Sequence, residues 1–213
     1  MTETSFETLR RAMVASQLRP NAVNDPRVIA AMSVAPREAF VPEEWRRLAY
    51  SDRAIPLAPG RALMPAMMLG RLLTEARLQA EDRALVVGAG GGYSAAVLAQ
   101  LVASVVALEE AGVAPAGVPA IDKVQRVEGP LTEGWAAGAP YDLILIDGAV
   151  EEVPHTLVAQ LAEGGRIAVP LIRSGVVRLS VGVRGGEGIG YSSFADADVP
   201  ALPGFARPRS FTF

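Results

Sequence analysis

The residues with the most chemical content lie mid-chain: Gly88, Ala89, Gly90, Gly91, Gly92 and Tyr93, directly after an apolar run (84–88) and directly before an alanine-rich stretch (94–101). Glycines in such a turn allow positive φ and let a ligand approach the backbone, while the N–H groups that open the following helix attract a polar or anionic group. By position this is a nucleotide-type turn, with a tight strand-to-helix turn that binds nothing as the competing reading. The dinucleotide fingerprint needs a small residue where Tyr93 stands, which disfavours NAD and FAD. The next apolar run ends about 20 residues on, at Glu109. Its carboxylate can accept two hydrogen bonds from ribose hydroxyls, and a solvated charge at a strand end is the plainer account. Gly88, Ala89, Gly90, Gly92 and Glu109 are therefore the candidate nucleotide-binding residues. Asp147 ends another apolar run (142–147) and is expected either to meet substrate or cofactor or to cap the turn into Gly148. For His155, the single histidine, a surface or capping role is expected over catalysis.

The elements that must position these residues follow from hydrophobic periodicity. From Arg83 onward, short apolar runs at 84–88, 104–109, 142–147 and 166–172 alternate with helical stretches at 94–101 and around 156–161. Strand, helix, strand in that order predicts a doubly wound parallel sheet. The runs 176–183, 189–194 and the final 210–213 are expected to be antiparallel strands closing one sheet edge. Before about residue 80 the pattern is helical and irregular, with Phe6, Leu9, Met13 and Val14 near a helical period and Asp25 before Pro26 reading as an N-cap and first-turn proline. Pro36, Pro42, Pro56 and Pro59 forbid one long element, and a helix is expected over 65–78. The domain reading is a helical lobe (1–80) covering the site and an α/β domain (81–213).

Composition narrows the functional classes. The chain of 213 residues is half apolar, enough for a sizeable core. Its net charge of −3, with Lys123 the single lysine, gives no basic field for nucleic acid. Without cysteine there is no disulfide framework, no Cys-based metal site and no thiol nucleophile, and no metal is expected. The first eleven residues lack a secretory pattern, and no window approaches the roughly 20 apolar residues of a membrane span, so a cytoplasmic location is expected.

A family resemblance rests on specific residues. The stretch 13–42 (MVASQLRPNAVNDPRVIAAMSVAPREAFVP), then AYSDRAIPL (49–57), YSAAVLAQL (93–101), YDLILIDGA (141–149) and VPHTLVAQLAEGGRIAVP (153–170) resemble protein-L-isoaspartate O-methyltransferases, and Gly88, Gly90 and Gly92 resemble motif I of S-adenosylmethionine-dependent methyltransferases. The resemblance implies a Rossmann-like seven-stranded methyltransferase sheet with an N-terminal helical lobe. It also implies S-adenosyl-L-methionine as cofactor and an isoaspartyl-containing protein or peptide as partner, the methyl group passing to the α-carboxylate as a first step of repair. Asp52 matches a position near the family's substrate pocket, with a structural loop role as its competing reading, and Pro65 follows the family's reaction-centre segment.

The chain departs from the family in four places. Aligned on Pro65, Leu63 stands where the family has a serine, and Val86 stands where an acidic residue precedes the first motif I glycine. After Glu109, Gly112, Pro115, Gly117 and Pro119 argue against the usual helix. At 127–130 the family's Gly-Asp-Gly near adenine is met by Glu128 and Gly129. These changes keep two alternatives open: a methyltransferase of another carboxylate or small molecule, or a non-catalytic binding module on the same scaffold.

Overall fold

The computed structural model describes residues 5–113, 117–186 and 188–207. Strands β3 (Arg83–Val87), β4 (Ser104–Glu109), β5 (Val124–Glu128), β6 (Tyr141–Ile146), β7 (Leu161–Arg173), β8 (Val176–Gly185) and β9 (Gly188–Asp196) form one sheet in the order β5-β4-β3-β6-β7-β8-β9. The pairings from β5 to β7 are parallel, whereas β8 and β9 run antiparallel at the edge. The parallel centre follows from its sequence: four of the five residues of β3 and five of the six of β6 are buried, as a sheet covered on both faces requires. The chain builds outward through β3, β4 and β5, then returns to lay β6 on the other side of β3. That reversal opens a crevice at the carboxyl ends of β3 and β6, where Gly88 and Asp147 follow.

Alternate strand residues face two separate apolar clusters. Val86, Leu143, Leu145 and Ala168 pack under the N-terminal helices, while Leu85, Val87, Ile144, Ile146 and Val169 pack under the opposite layer. The first layer comprises α1 (Phe6–Met13), α2 (Pro26–Val34), α3 (Ala66–Glu75) and α4 (Tyr93–Leu98), and the second contains α5 (His155–Ala159). Asp25 caps α2 as expected, its carboxylate accepting from the Arg27 N–H at 2.8 Å. Arg37 pins the lobe to the sheet. Its buried guanidinium donates to the carbonyls of Ala49 (2.7 Å) and Met64 (2.5 Å) and lies 4.7 Å from the Tyr93 ring centroid.

Several elements differ from the sequence reading. A two-stranded hairpin, β1 (Ile55–Ala58) and β2 (Arg61–Leu63), interrupts the helical lobe. β7 begins at Leu161 rather than near Arg166, its first residues pairing with Tyr141 before a register shift. β5 is an additional strand, and among the described residues no helix joins β4 to it, so Gln125, Arg126 and Glu128 stay exposed. The expected terminal strand at 210–213 lies outside the described residues. Among the described residues no helix is long and apolar enough to cross a membrane.

The lobe meets the glycine turn backbone to backbone. A Cβ at Gly91 would lie 2.1 Å from the Phe40 carbonyl oxygen, which no side-chain adjustment relieves. Gly91→Ala is therefore expected to cost about 2–3 kcal/mol in urea denaturation. Gly190→Ala, whose Cβ meets nothing within 4 Å, should stay within about 0.5 kcal/mol; equal effects would remove the contact as the cause.

Candidate functional site

The crevice at the switch point gathers the turn, Glu109 and Asp147, as the sequence pattern anticipates. Gly88, Gly90 and Gly92 take positive φ values of 76°, 53° and 92°, a conformation that side chains other than glycine enter at a cost. This conformation turns the Gly90 N–H toward Glu109, whose Oε2 accepts it at 2.7 Å. The turn is less open to an anion than the sequence suggests. Gly88 and Ala89 N–H both donate to the Leu108 carbonyl (3.0 and 3.1 Å), and Gly92 N–H donates to Ala89 (2.7 Å).

Glu109 is 7% exposed and fully engaged. Besides Gly90, its carboxylate accepts from the Glu110 N–H at 2.7 Å and from Nη2 of Arg61. Arg61 opens β2 and is also 7% exposed, and its Nε and Nη1 have no hydrogen-bond partner. Arg61 is not among the residues that the sequence pattern singles out. Its signal is placement: directly after Gly60, on the inward face of a strand whose next inward residue is Leu63.

Asp147 is 4% exposed, its Oδ2 accepting from the Ser94 hydroxyl while Oδ1 has no partner. Burial pushes the carboxyl up to about 6, opposed by the Ser94 hydrogen bond and by Arg37, with the Glu109 charge adding to the rise. Ser94 is a further residue the sequence reading did not single out.

The remaining candidates separate. Glu128 ends β5 in register with Glu109 but is exposed, and Gly129 donates its N–H to the Glu109 carbonyl at 3.1 Å. Asp52 is exposed in a bend before the hairpin, and Pro65 is buried at the start of α3, so neither lines the crevice. Ala89 is buried within the turn. Leu63 pairs with Ile55 and packs into the core, whereas its neighbour Met64 lines the crevice. Of these two neighbours, Met64 is the one whose side chain borders the crevice. No Ser, Thr or Tyr lines it among the described residues.

An adenosyl cofactor fits the donor set but not the space. Arg61, Met64, Gly88, Glu109, Asp147 and Leu202 enclose about 10 Å³, room for roughly one water molecule. Leu202 comes from a strap (199–205) whose backbone pairs with Ala149, through Ala149 N–H to Pro200 O and Leu202 N–H to Ala149 O, both 2.8 Å.

A family model described as "Protein-L-isoaspartate(D-aspartate) O-methyltransferase (PCMT)" matches residues 9–189. The "Protein-L-isoaspartate O-methyltransferase 1" of Rhodopseudomonas palustris (strain HaA2) is 40% identical over 174 residues, covering 79% of this chain and 71% of the relative. The "Protein-L-isoaspartate O-methyltransferase" of Methanoculleus marisnigri is 37% identical over 171 residues, covering 76% of each. In fold, the chain is similar to a solved protein-L-isoaspartate O-methyltransferase at a TM-score of 0.74 and 22% identity, over 94% of this chain and 66% of that one. It is also similar to the putative Plasmodium falciparum enzyme solved in complex with S-adenosyl-L-homocysteine, at a TM-score of 0.72 and 19% identity, over 94% and 99%.

The Asp147 carboxyl supplies a pH test. Raised from 3.8 to about 6, it is protonated in the folded state and ionised in the unfolded chain between those values. There the folded state binds more protons, so stability falls as pH rises through that window and the full penalty persists above it. Asp147→Asn is expected to gain stability relative to wild type by roughly 2–3 kcal/mol between pH 4 and pH 7.5. A wild-type-to-variant difference that does not change with pH contradicts the assignment.

Proposed function

The chain belongs to the protein-L-isoaspartate O-methyltransferase family, and we propose from that premise that it transfers the methyl group of S-adenosylmethionine to the carboxylate of L-isoaspartyl residues in damaged proteins. The observation that carries this reading is the meeting of turn, acid and switch point: Gly90 and Glu109 are joined by a hydrogen bond beside the carboxyl ends of β3 and β6, with Asp147 alongside. A carboxylate there is placed to hold ribose hydroxyls, and the glycines admit close backbone approach.

The residue inventory suits the chemistry. A substrate carboxylate with an ordinary pKa near 4 is ionised at neutral pH, so the absence of cysteine and the peripheral His155 remove nothing the reaction needs. When bound, the cofactor supplies an electrophilic methyl on a sulfonium that is its own leaving group. The protein's part is then to position its ligands and exclude water. Asp147, Glu109 and the turn are the residues assigned to that task, with the lobe (1–80) laid over the α/β domain (81–213). The partner is an isoaspartyl-containing protein or peptide. With a net charge of −3, nucleic acid is not a partner in this reading, and its setting is the cytoplasm.

The direct test offers an isoaspartyl peptide and its aspartyl counterpart, with labelled S-adenosylmethionine at millimolar concentration. Label is expected on the isoaspartyl peptide alone and lost with Glu109→Ala; equal labelling of both peptides would move the substrate elsewhere. A second variant pair addresses the missing hydroxyl. Met64→Ser is expected to raise the rate several-fold. Leu63→Ser, which buries a hydroxyl in the core, is expected to cost about 3 kcal/mol of stability with no gain in rate; the reverse pattern would return the role to position 63.

A further inference from the structure

We propose that the nucleotide crevice is held shut by the protein's own residues, and that Arg61 is an internal occupant which the cofactor must displace from Glu109. The inference rests on the methyltransferase reading and concerns access to that same site. The groups that fill the crevice come from two segments separate in sequence. From the hairpin, Arg61 Nη1 lies 3.6 Å, and Leu57 Cδ1 2.6 Å, from where a Cβ would stand on Gly88 and Gly90 respectively. From the strap, Leu202 Cδ1 lies 3.0 Å from the same point on Gly88, and its Cβ 2.9 Å from that on Gly148. The glycines that would let a ligand approach are thus covered by side chains. The two segments also touch, with Pro203 Cγ 3.2 Å from the Cβ point of Gly60.

The closed arrangement is poised rather than locked. Arg61 buries Nε and Nη1 without partners, a desolvation cost set against its contact with Glu109. A second acceptor waits outside. Oε2 of Glu110 is 3.9 Å from Arg61 Nη2, and the Glu110 side chain is 57% exposed, so a released guanidinium has a solvated carboxylate to move to. The strap is tied by few backbone bonds, two to Ala149 at 2.8 Å and one from Glu151 N–H to Phe205 O at 3.3 Å. Opening it must also lift the buried side chains of Val199, Leu202 and Phe205 from the core, a local event that leaves the strand ladder intact. A site open only part of the time binds with an apparent affinity lowered by that fraction.

The test is calorimetric titration with S-adenosylhomocysteine of wild type, Arg61→Gln and Leu202→Ala, each checked for a cooperative thermal melt. Both variants are expected to bind at least about tenfold tighter than wild type. Hydrogen exchange on the wild-type protein keeps the question answerable if Arg61→Gln fails to fold: saturation with S-adenosylhomocysteine should speed exchange of the Leu202 and Ala149 amides while slowing that of Gly90. Wild type binding as tightly as the folded variants, or protection of the strap amides on binding, overturns the proposal while leaving the methyltransferase reading intact. No binding by any of the three at millimolar ligand overturns that reading, and the internal occupant falls with it.

Discussion

Glu109 ends β4 with its carboxylate below the surface, and the upper rim of the sheet is organised around that charge. A buried carboxylate with no partner is too costly to keep, so the fold surrounds it with donors: the N–H groups of Gly90 and Glu110 from the backbone and Nη2 of Arg61 from the hairpin. The Gly90 donor exists because the turn takes left-handed conformations, so the glycines shape the site even before any ligand is considered. The Arg61 donor exists because the hairpin lies across the crevice, which in turn requires the lobe to be seated on the turn. Arg37 and the close approach of Phe40 to Gly91 provide that seating.

What was legible in the sequence tracks how strongly burial constrains a residue type. The strands β3, β4 and β6 are near-continuous apolar runs because both sheet faces are covered, and their ends place Glu109 and Asp147 without any structure. β5 carried no such signal. With no helix after Glu109 among the described residues, only Val127 of its five residues is buried, and exposed Gln125, Arg126 and Glu128 break any period. The hairpin was hidden because its strands are four and three residues long, too short for alternation to register. Leu63 and Met64 show the limit of reading by motif. Alignment on a proline fixes a count along the chain, whereas which side chain borders the crevice depends on how the hairpin leads into α3: Arg61, Ala62 and Met64 line it, and Leu63 packs in the core.

The open face beyond β4 bears on how a nucleotide would be held. Where a crossover helix would pack, the segment 117–123 runs irregularly, with turns at Gly117 and at Asp122–Lys123, and is joined to the edge strand by Arg126 Nη2 donating to the Pro119 carbonyl at 3.0 Å. Glu128 and Gly129, expected near the base, stand at that thin edge. Under the proposed reading the grip on a nucleotide therefore lies mainly with the inner residues, the turn and Glu109, where burial strengthens each polar contact.

An acid that binds ribose hydroxyls faces two opposed requirements. It must be dry enough for its hydrogen bonds to matter, yet the protein must survive without ligand, when a dry carboxylate is a liability. Water resolves this in a wide cleft by filling it. In a crevice of about 10 Å³ there is no room for a hydration shell, so a side chain has to substitute. Arginine meets that need, since its guanidinium stays charged and can donate from one nitrogen while its stem covers apolar surface. Under the proposed reading the consequence is competition: Arg61, which satisfies Glu109 here, occupies the place proposed for the ribose. On that reading, the strength of the Arg61–Glu109 contact governs how readily the site accepts a nucleotide.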